Sequence, residues 1–293
     1  MKLKGILIAA LSSIIFGSSG LIQKPLYSEG VNPLDLLTTA YFFGSSVLFF
    51  YIFFNKGKDA FILPKNSLKH LLIHSILGVM TVTISYSFSV KYLDVSISTM
   101  LLYTYPILIS LYSIFVLKER VSTIKILSII GTLIGSMLVL DIFHTSGTTS
   151  SIGIIIGLIS AFSYAFVNLY GNKLLKFNLE PIIIVFYNNL ITFIGLVIIN
   201  NQLFLNLNNL SSKVIISAFL LSIFCQIIPM SLLYIAIRLI GPVLTAIITT
   251  IEIPAAAILS FLILSEKLSM VQWSGIIIVL LCIILIKLEK PKL

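Results

Sequence analysis

One carboxylate, Glu252, stands inside an otherwise uncharged apolar run, ten residues beyond Pro242. At about 1.5 Å per helical residue it sits about 15 Å along, near the midplane of a hydrocarbon layer about 30 Å thick. A carboxylate there costs a few kcal/mol unless it faces a cavity or is neutralised. Its available chemistry is to carry a proton or to recognise an ammonium group; the plainer alternative is a protonated side chain bonded to a neighbouring helix backbone. Tyr86, Tyr103, Tyr105, Tyr164 and Tyr234 each combine an apolar ring with a hydroxyl that needs a partner when buried. They either grip an organic ligand or, toward helix ends, join an interfacial aromatic belt. Asn168 and Gln226 place amides in apolar runs, where they bind ligand or bond across helices. Pro106 and Pro254 each free a backbone carbonyl for bending, gating or ligand contact, or simply fit a packing kink.

Other chemistries fit less well. His70 and His74 share a helix face at a spacing that suits a metal, but no third ligand accompanies them, so no metal site is expected. His74 is read as a packing histidine or a proton relay. Cys225 and Cys282 both lie in apolar runs and form no disulfide or metal pattern. Gly17-Ser18-Ser19-Gly20 contains the Gly-x-Ser-Gly string of rhomboid-type serine proteases, yet four small residues in one helix are more simply a close-packing surface. There is no P-loop, glycine-rich nucleotide fingerprint or paired-Asp motif, so no cofactor is expected and proton coupling through Glu252 is the energetic link left open.

The elements that must position these residues follow from composition. A chain of 293 residues with 58% hydrophobic and 10% charged side chains and a mean hydropathy of +1.13 fits no water-soluble domain, which carries about a quarter charged residues. It reads as an all-α polytopic membrane protein whose apolar runs give ten transmembrane helices, near 5–23, 34–54, 69–90, 95–117, 122–140, 152–171, 182–199, 214–236, 242–264 and 270–286. The N-terminal run continues past the end a signal peptide would have, so it is read as the first span. With ten spans both termini share one side. That side collects Lys2, Lys4, Lys56, Lys58, Lys65, Lys69, Lys118, Arg120, Lys125, Lys173, Lys176, Arg238, Lys287, Lys290 and Lys292, against Lys24, Lys91, Lys213 and Lys267 opposite. The imbalance predicts cytoplasmic termini in an inner, cytoplasmic membrane and explains the net charge of +9 without a nucleic-acid partner.

The chain also repeats itself at an offset of about 148 residues. Tyr86 to Pro106 matches Tyr234 to Pro254, followed by Glu119 and Glu266; Ser12 and Ser160 lead to Lys24 and Lys173, then to Asn32-Pro33 and Glu180-Pro181. Residues 1–145 and 146–293 are therefore expected to form two five-helix repeats. Five is odd, so the second enters the membrane from the opposite face. Two inverted repeats around a central site are the usual build of a carrier working by alternating access.

The segments Tyr103–Ser122 and Ile251–Ser269, each with a Pro, an apolar run and then a Glu with a basic residue, resemble the EamA-type repeat of the drug/metabolite transporter superfamily. The resemblance extends to Lys24 and Lys173 at the ends of the opening helices and to the turns that follow, nearly the whole chain. It implies ten helices, cytoplasmic termini and a cavity lined by the first, third, fourth, sixth, eighth and ninth helices. It also implies a secondary transporter of small polar metabolites, with export of amino acids or related compounds the first expectation and exchange of a nucleoside, vitamin or amine the alternative. Members often carry a carboxylate directly before the ninth-helix Pro; here Ile253 intervenes, so Glu252 does not inherit that role automatically. The expected partners are a small-molecule substrate and the lipid bilayer, with the chain acting as a monomer or weak homodimer.

Overall fold

A computed structural model of the chain describes residues 2–118, 122–142, 150–200, 211–263, 265 and 267–288, all helix, turn or irregular backbone without strands among them. Among the described residues, eight helices are long and apolar enough to cross a membrane: α1 (Lys2–Tyr27), α2 (Pro33–Lys56), α3 (Ser67–Tyr92), α4 (Val95–Phe115), α6 (Ser151–Leu175), α7 (Pro181–Ile199), α8 (Ser212–Ile240) and α9 (Pro242–Ile263). Two shorter apolar helices complete the set, α5 (Thr123–Val139) and α10 (Met270–Leu288). Each coincides with one of the ten runs expected from sequence. Glu119, Arg120, Glu266, Lys290 and Lys292 lie outside the described residues.

Local chemistry sets the helix starts. Asn32 accepts from the Leu34 N–H at 3.0 Å while Pro33 opens α2. The Ser122, Ser150 and Ser211 side chains accept from Lys125, Gly153 and Val214 N–H at 3.3, 3.4 and 3.4 Å, capping α5, α6 and α8. Gly241 at φ 77° followed by Pro242 turns the chain between α8 and α9, a conformation that favours glycine.

The molecule is polar inside and apolar outside. Phe54, Phe115, Leu262 and Ile198 are exposed, as a lipid-facing surface requires, whereas Ser75, Ser89, Ser98, Ser113, Ser160 and Thr192 are fully buried. Small residues let backbones approach in a medium where apolar association alone gives little. The α5–α10 pair is the clearest case: a Cβ on Gly135 would lie 2.9 Å from the Gly275 carbonyl, and one on Gly275 would lie 2.6 Å from the Gly135 carbonyl.

Helix pairing is close to symmetric under a five-helix shift. The α1–α8 contact is matched by α6–α3, α2–α8 by α7–α3, and α1–α9 by α6–α4, while α2–α7, α4–α9 and α5–α10 pair counterparts directly. Polar links join helix ends across the halves: Lys56 to Glu180 at 2.5 Å, Lys213 to Glu29, and the Asn200 amide donating to Asp35 at 2.7 Å. An alternating ten-span path puts both partners of each link on the same side.

Among the described residues α1 is interrupted at Ser18, between Lys2–Gly17 and Ser19–Ser28, and four further helices are broken or distorted. In α4 the helix Val95–Leu102 stops at Tyr103-Thr104 and restarts as Tyr105–Phe115; in α9 the helix Pro242–Thr249 stops at Thr250-Ile251 and restarts as Glu252–Ile263. Both breaks sit just before a proline, which cannot bond the carbonyl four residues back, here Leu102 or Thr250, and clashes with it. In α3 and α8 the regular helix widens into π-helical turns over His74–Met80 and Ser222–Ile227. These start 148 residues apart.

Candidate functional site

The proline break in α9 places Glu252 in the first turn of a new half-helix, where the dipole favours a negative charge. Gly17 of α1 packs against that turn; a Cβ there would lie 2.9 Å from the Glu252 carbonyl and 3.2 Å from the Ala256 nitrogen. The small-residue string of α1 thus acts as a close-packing surface. Glu252 is only partly buried, because its side chain borders a cavity of about 10 Å³ with Ser12, Ser13, Phe16, Tyr164 and Thr249, space for about one water.

A larger cavity, about 90 Å³, adjoins the first and shares Phe16, Tyr164 and Met230 with it. Its polar lining comes from Tyr41 and Thr83 on one side and Asn188, Asn189 and Gln226 on the other. Together the two cavities form one narrow cleft between the halves. Its lining includes three repeat-related pairs: Phe16 and Tyr164, Tyr41 and Asn189, and Val82 and Met230, each 148 positions apart.

Three of the five tyrosines named from sequence gather around Glu252. Tyr103 lies beside the carboxylate, close enough to interact with it. Tyr105 is fully buried, with its hydroxyl 2.5 Å from Thr249 Oγ1, and its ring meets Tyr164 edge-on at 4.6 Å. Tyr164 itself lines both cavities. Tyr86 lines neither cavity, and its hydroxyl is 2.9 Å from Thr99 Oγ1.

Tyr234 belongs instead to a buried network behind the cleft. Asn188 Nδ2 donates to the Tyr234 hydroxyl at 3.0 Å, Ser75 donates to Asn188 Oδ1 at 2.9 Å, and His74 Nδ1 lies 2.9 Å from the same oxygen. His74 Nε2 is 3.1 Å from the Val167 carbonyl. His74 is fully buried and meets the lining through Asn188 and the Val167 backbone, so its geometric effect is to position that amide. His70 is bonded elsewhere, to the Tyr170 hydroxyl at 2.6 Å.

Asn168 is fully buried and donates to the Tyr164 carbonyl at 2.9 Å; it does not line either cavity. Gln226 does line the cleft. Pro106 and Pro254 lie one turn from the tyrosine cluster and from Glu252. The cleft draws its lining from α1, α2, α3, α6, α7, α8 and α9, while α4 supplies Tyr103 and Tyr105 behind it. The contribution of α2 and α7 differs from the sequence expectation. Tyr41, Asn188 and Asn189 were not singled out, although the adjacent amides in Val185–Ile191 carry the same signal as Asn168 and Gln226, a polar side chain inside an apolar run.

Comparison with known proteins agrees with this architecture. A solved structure superposes with a TM-score of 0.77 over 98% of both chains at 15% identity, a likeness of fold. An uncharacterized inner membrane transporter of Salmonella typhimurium (strain LT2), YicL, is 24% identical over 99% of this chain and 97% of its own. The EamA-like transporter family matches twice, over residues 3–141 and again over 151–288. With nearly its whole length accounted for by two copies of the family's repeat, the chain belongs to the EamA-like transporter family.

Proposed function

We propose that this protein is a secondary transporter of the inner membrane that carries small polar metabolites, amino acids and related compounds first among them, outward by alternating access. The observation that carries the reading is the cleft: it lies between two like halves, is lined by repeat-related residues, and holds one carboxylate at a helix break. The odd helix count per half and the pairing of α2 with α7, α4 with α9 and α5 with α10 support an inverted relation about an axis in the membrane plane. Such halves exchange conformations and open the cleft to each side in turn. The lysine and arginine imbalance supports cytoplasmic termini.

In this arrangement the cleft is too narrow for an organic molecule, so loading requires the halves to part. The matched breaks in α4 and α9 are where bending is easiest, since both already lack a backbone bond. Protonation of Glu252 biases which side opens, and substrate favours the closed arrangement. One chain holds both halves and suffices as the transport unit. A carrier fits better than an intramembrane enzyme because the serines beside Glu252 are spent on backbone: Ser12 donates to Pro229 at 2.7 Å and Ser13 to Ala9 at 2.8 Å.

The test is counterflow in proteoliposomes against labelled amino acids, amines and nucleosides. Saturable uptake stimulated by unlabelled compound inside supports a carrier. Uptake that rises linearly with concentration, without trans-stimulation, would mean a pore.

A further inference from the structure

Most hydroxyls along the cleft are already committed. The Thr83 hydroxyl donates to the Val79 carbonyl at 2.8 Å, so the Tyr41 hydroxyl, 3.0 Å from Thr83 Oγ1, is the donor in that pair. Thr249 donates to backbone within its own helix, Asn188 Nδ2 to Tyr234, and Asn189 Nδ2 to the Val185 carbonyl at 2.9 Å. With Ser12 and Ser13 also committed, the donors left on the cleft are the Tyr164 hydroxyl, the Gln226 amide and the second N–H of each asparagine amide, all of them neutral.

The charge of the cleft is one-sided. Glu252 stands at one end of the cleft. At the other, Asn189 Oδ1 and Gln226 Oε1 are buried without a hydrogen-bond partner, on residues only 3% and 8% exposed. Both oxygens converge on Gly44, within 2.4 and 2.8 Å of where its Cβ would be. The two oxygens pack against Gly44, where a Cβ would clash with both. Buried carbonyl oxygens left bare cost free energy, and the two amide side chains that carry them line one cavity, so a donor that reaches them as the halves part is favoured. Between the two ends lie Phe16, Tyr164 and Met230. No lysine or arginine is among the described residues lining the cleft.

We infer that the cleft selects an organic amine lacking a free carboxylate, with its ammonium at Glu252, its apolar body against Phe16, Tyr164 and Met230, and a second hydrogen-bond donor at the Asn189–Gln226 oxygen pair. The inference rests on the carrier reading above and narrows its substrate class. An α-amino acid satisfies the acceptors but brings a carboxylate that meets no cation among the described lining and adds a second negative charge beside Glu252, and leaving such a group desolvated without a counter-charge is costly.

Three probes that differ by one group each test it on the reconstituted full chain. Tyramine has all three features, phenethylamine lacks the second donor, and tyrosine adds the carboxylate. Expected is saturable tyramine counterflow with KM at least about 10-fold below that for tyrosine and about 5-fold below that for phenethylamine, the latter being the scale of one net hydrogen bond. Gln226→Leu and Asn189→Leu should raise KM for tyramine several-fold more than for phenethylamine, so the second probe reports on folding. Tyrosine carried as well as tyramine, or both amines weakened equally by the two variants, overturns the assignment. If none of the three is carried while another compound of the panel is, the inference fails and the carrier stands; if folded protein exchanges nothing saturably, the carrier reading falls as well.

Discussion

At position 74 the first half has a histidine and at 222, 148 residues on, the second half has a serine, yet both begin a π-helical turn. The same contrast recurs at the breaks before Pro106 and Pro254, where Thr104 corresponds to Glu252. It recurs again where Ala40 corresponds to Asn188 and Gly78 to Gln226. The distortions of α3, α4, α8 and α9 are thus held in common while several of the polar side chains beside them are not. The shared features belong to the mechanical plan, two halves that bend at equivalent places. The unshared ones concentrate the cleft's acid and amides in the second half, so a symmetric frame carries an asymmetric site, and the cleft presents different chemistry at its two ends.

Substitutions can break or sharpen that contrast. The largest effect on stability is expected at Asn188, whose replacement by Leu leaves Ser75, His74 and Tyr234 without their shared partner; about 3 kcal/mol is the scale for several buried polar groups orphaned together. Thermal unfolding in detergent should show a clear drop for Asn188→Leu and little change for Ala40→Ser, its counterpart, whose hydroxyl can bond its own helix. Gly135→Ala comes next, about 1–3 kcal/mol, because the added carbon meets the Gly275 backbone and overpacks the α5–α10 contact. Tyr86→Phe removes one hydroxyl bond to Thr99 and should cost about 1 kcal/mol, whereas Tyr234→Phe also leaves Asn188 Nδ2 unpaired and should cost more. Smallest is Lys213→Ala, which breaks an exposed pair with Glu29 and should change the unfolding midpoint by no more than about 0.5 kcal/mol allows. An equal loss for Tyr86→Phe and Tyr234→Phe would erase the distinction between the halves.

Much of the fold was legible in the sequence because a membrane leaves few alternatives: an apolar run must be a helix, and the polar breaks mark its ends. The run expected at 122–140 is Thr123–Val139, and that at 95–117 is Val95–Phe115. Less visible was the break of α1 at Ser18, between the helices Lys2–Gly17 and Ser19–Ser28, since no proline immediately follows it. The π-turns were invisible because an apolar run reads the same whether its helix is regular or widened. In the site, Glu252 and Tyr103, Tyr105 and Tyr164 were identifiable as polar groups at the level of the prolines. What sequence does not encode locally is which face of a helix meets the cleft. That face turns Asn168 into a bond to its own backbone, sends Tyr234 into the network with His74, and brings in Asn188 and Asn189 from α7.

The central claim is that the cleft at Glu252 is where substrate is handled. Its most direct test is counterflow by wild type and Glu252→Gln, at equal amounts of folded protein, with whichever panel compound wild type exchanges best. An isosteric amide keeps the shape and removes the charge, so exchange should fall about 100-fold, the scale of a buried charge pair losing one member. Exchange by Glu252→Gln at the wild-type rate and KM would contradict the account, making the carboxylate a structural group and placing the transport site elsewhere.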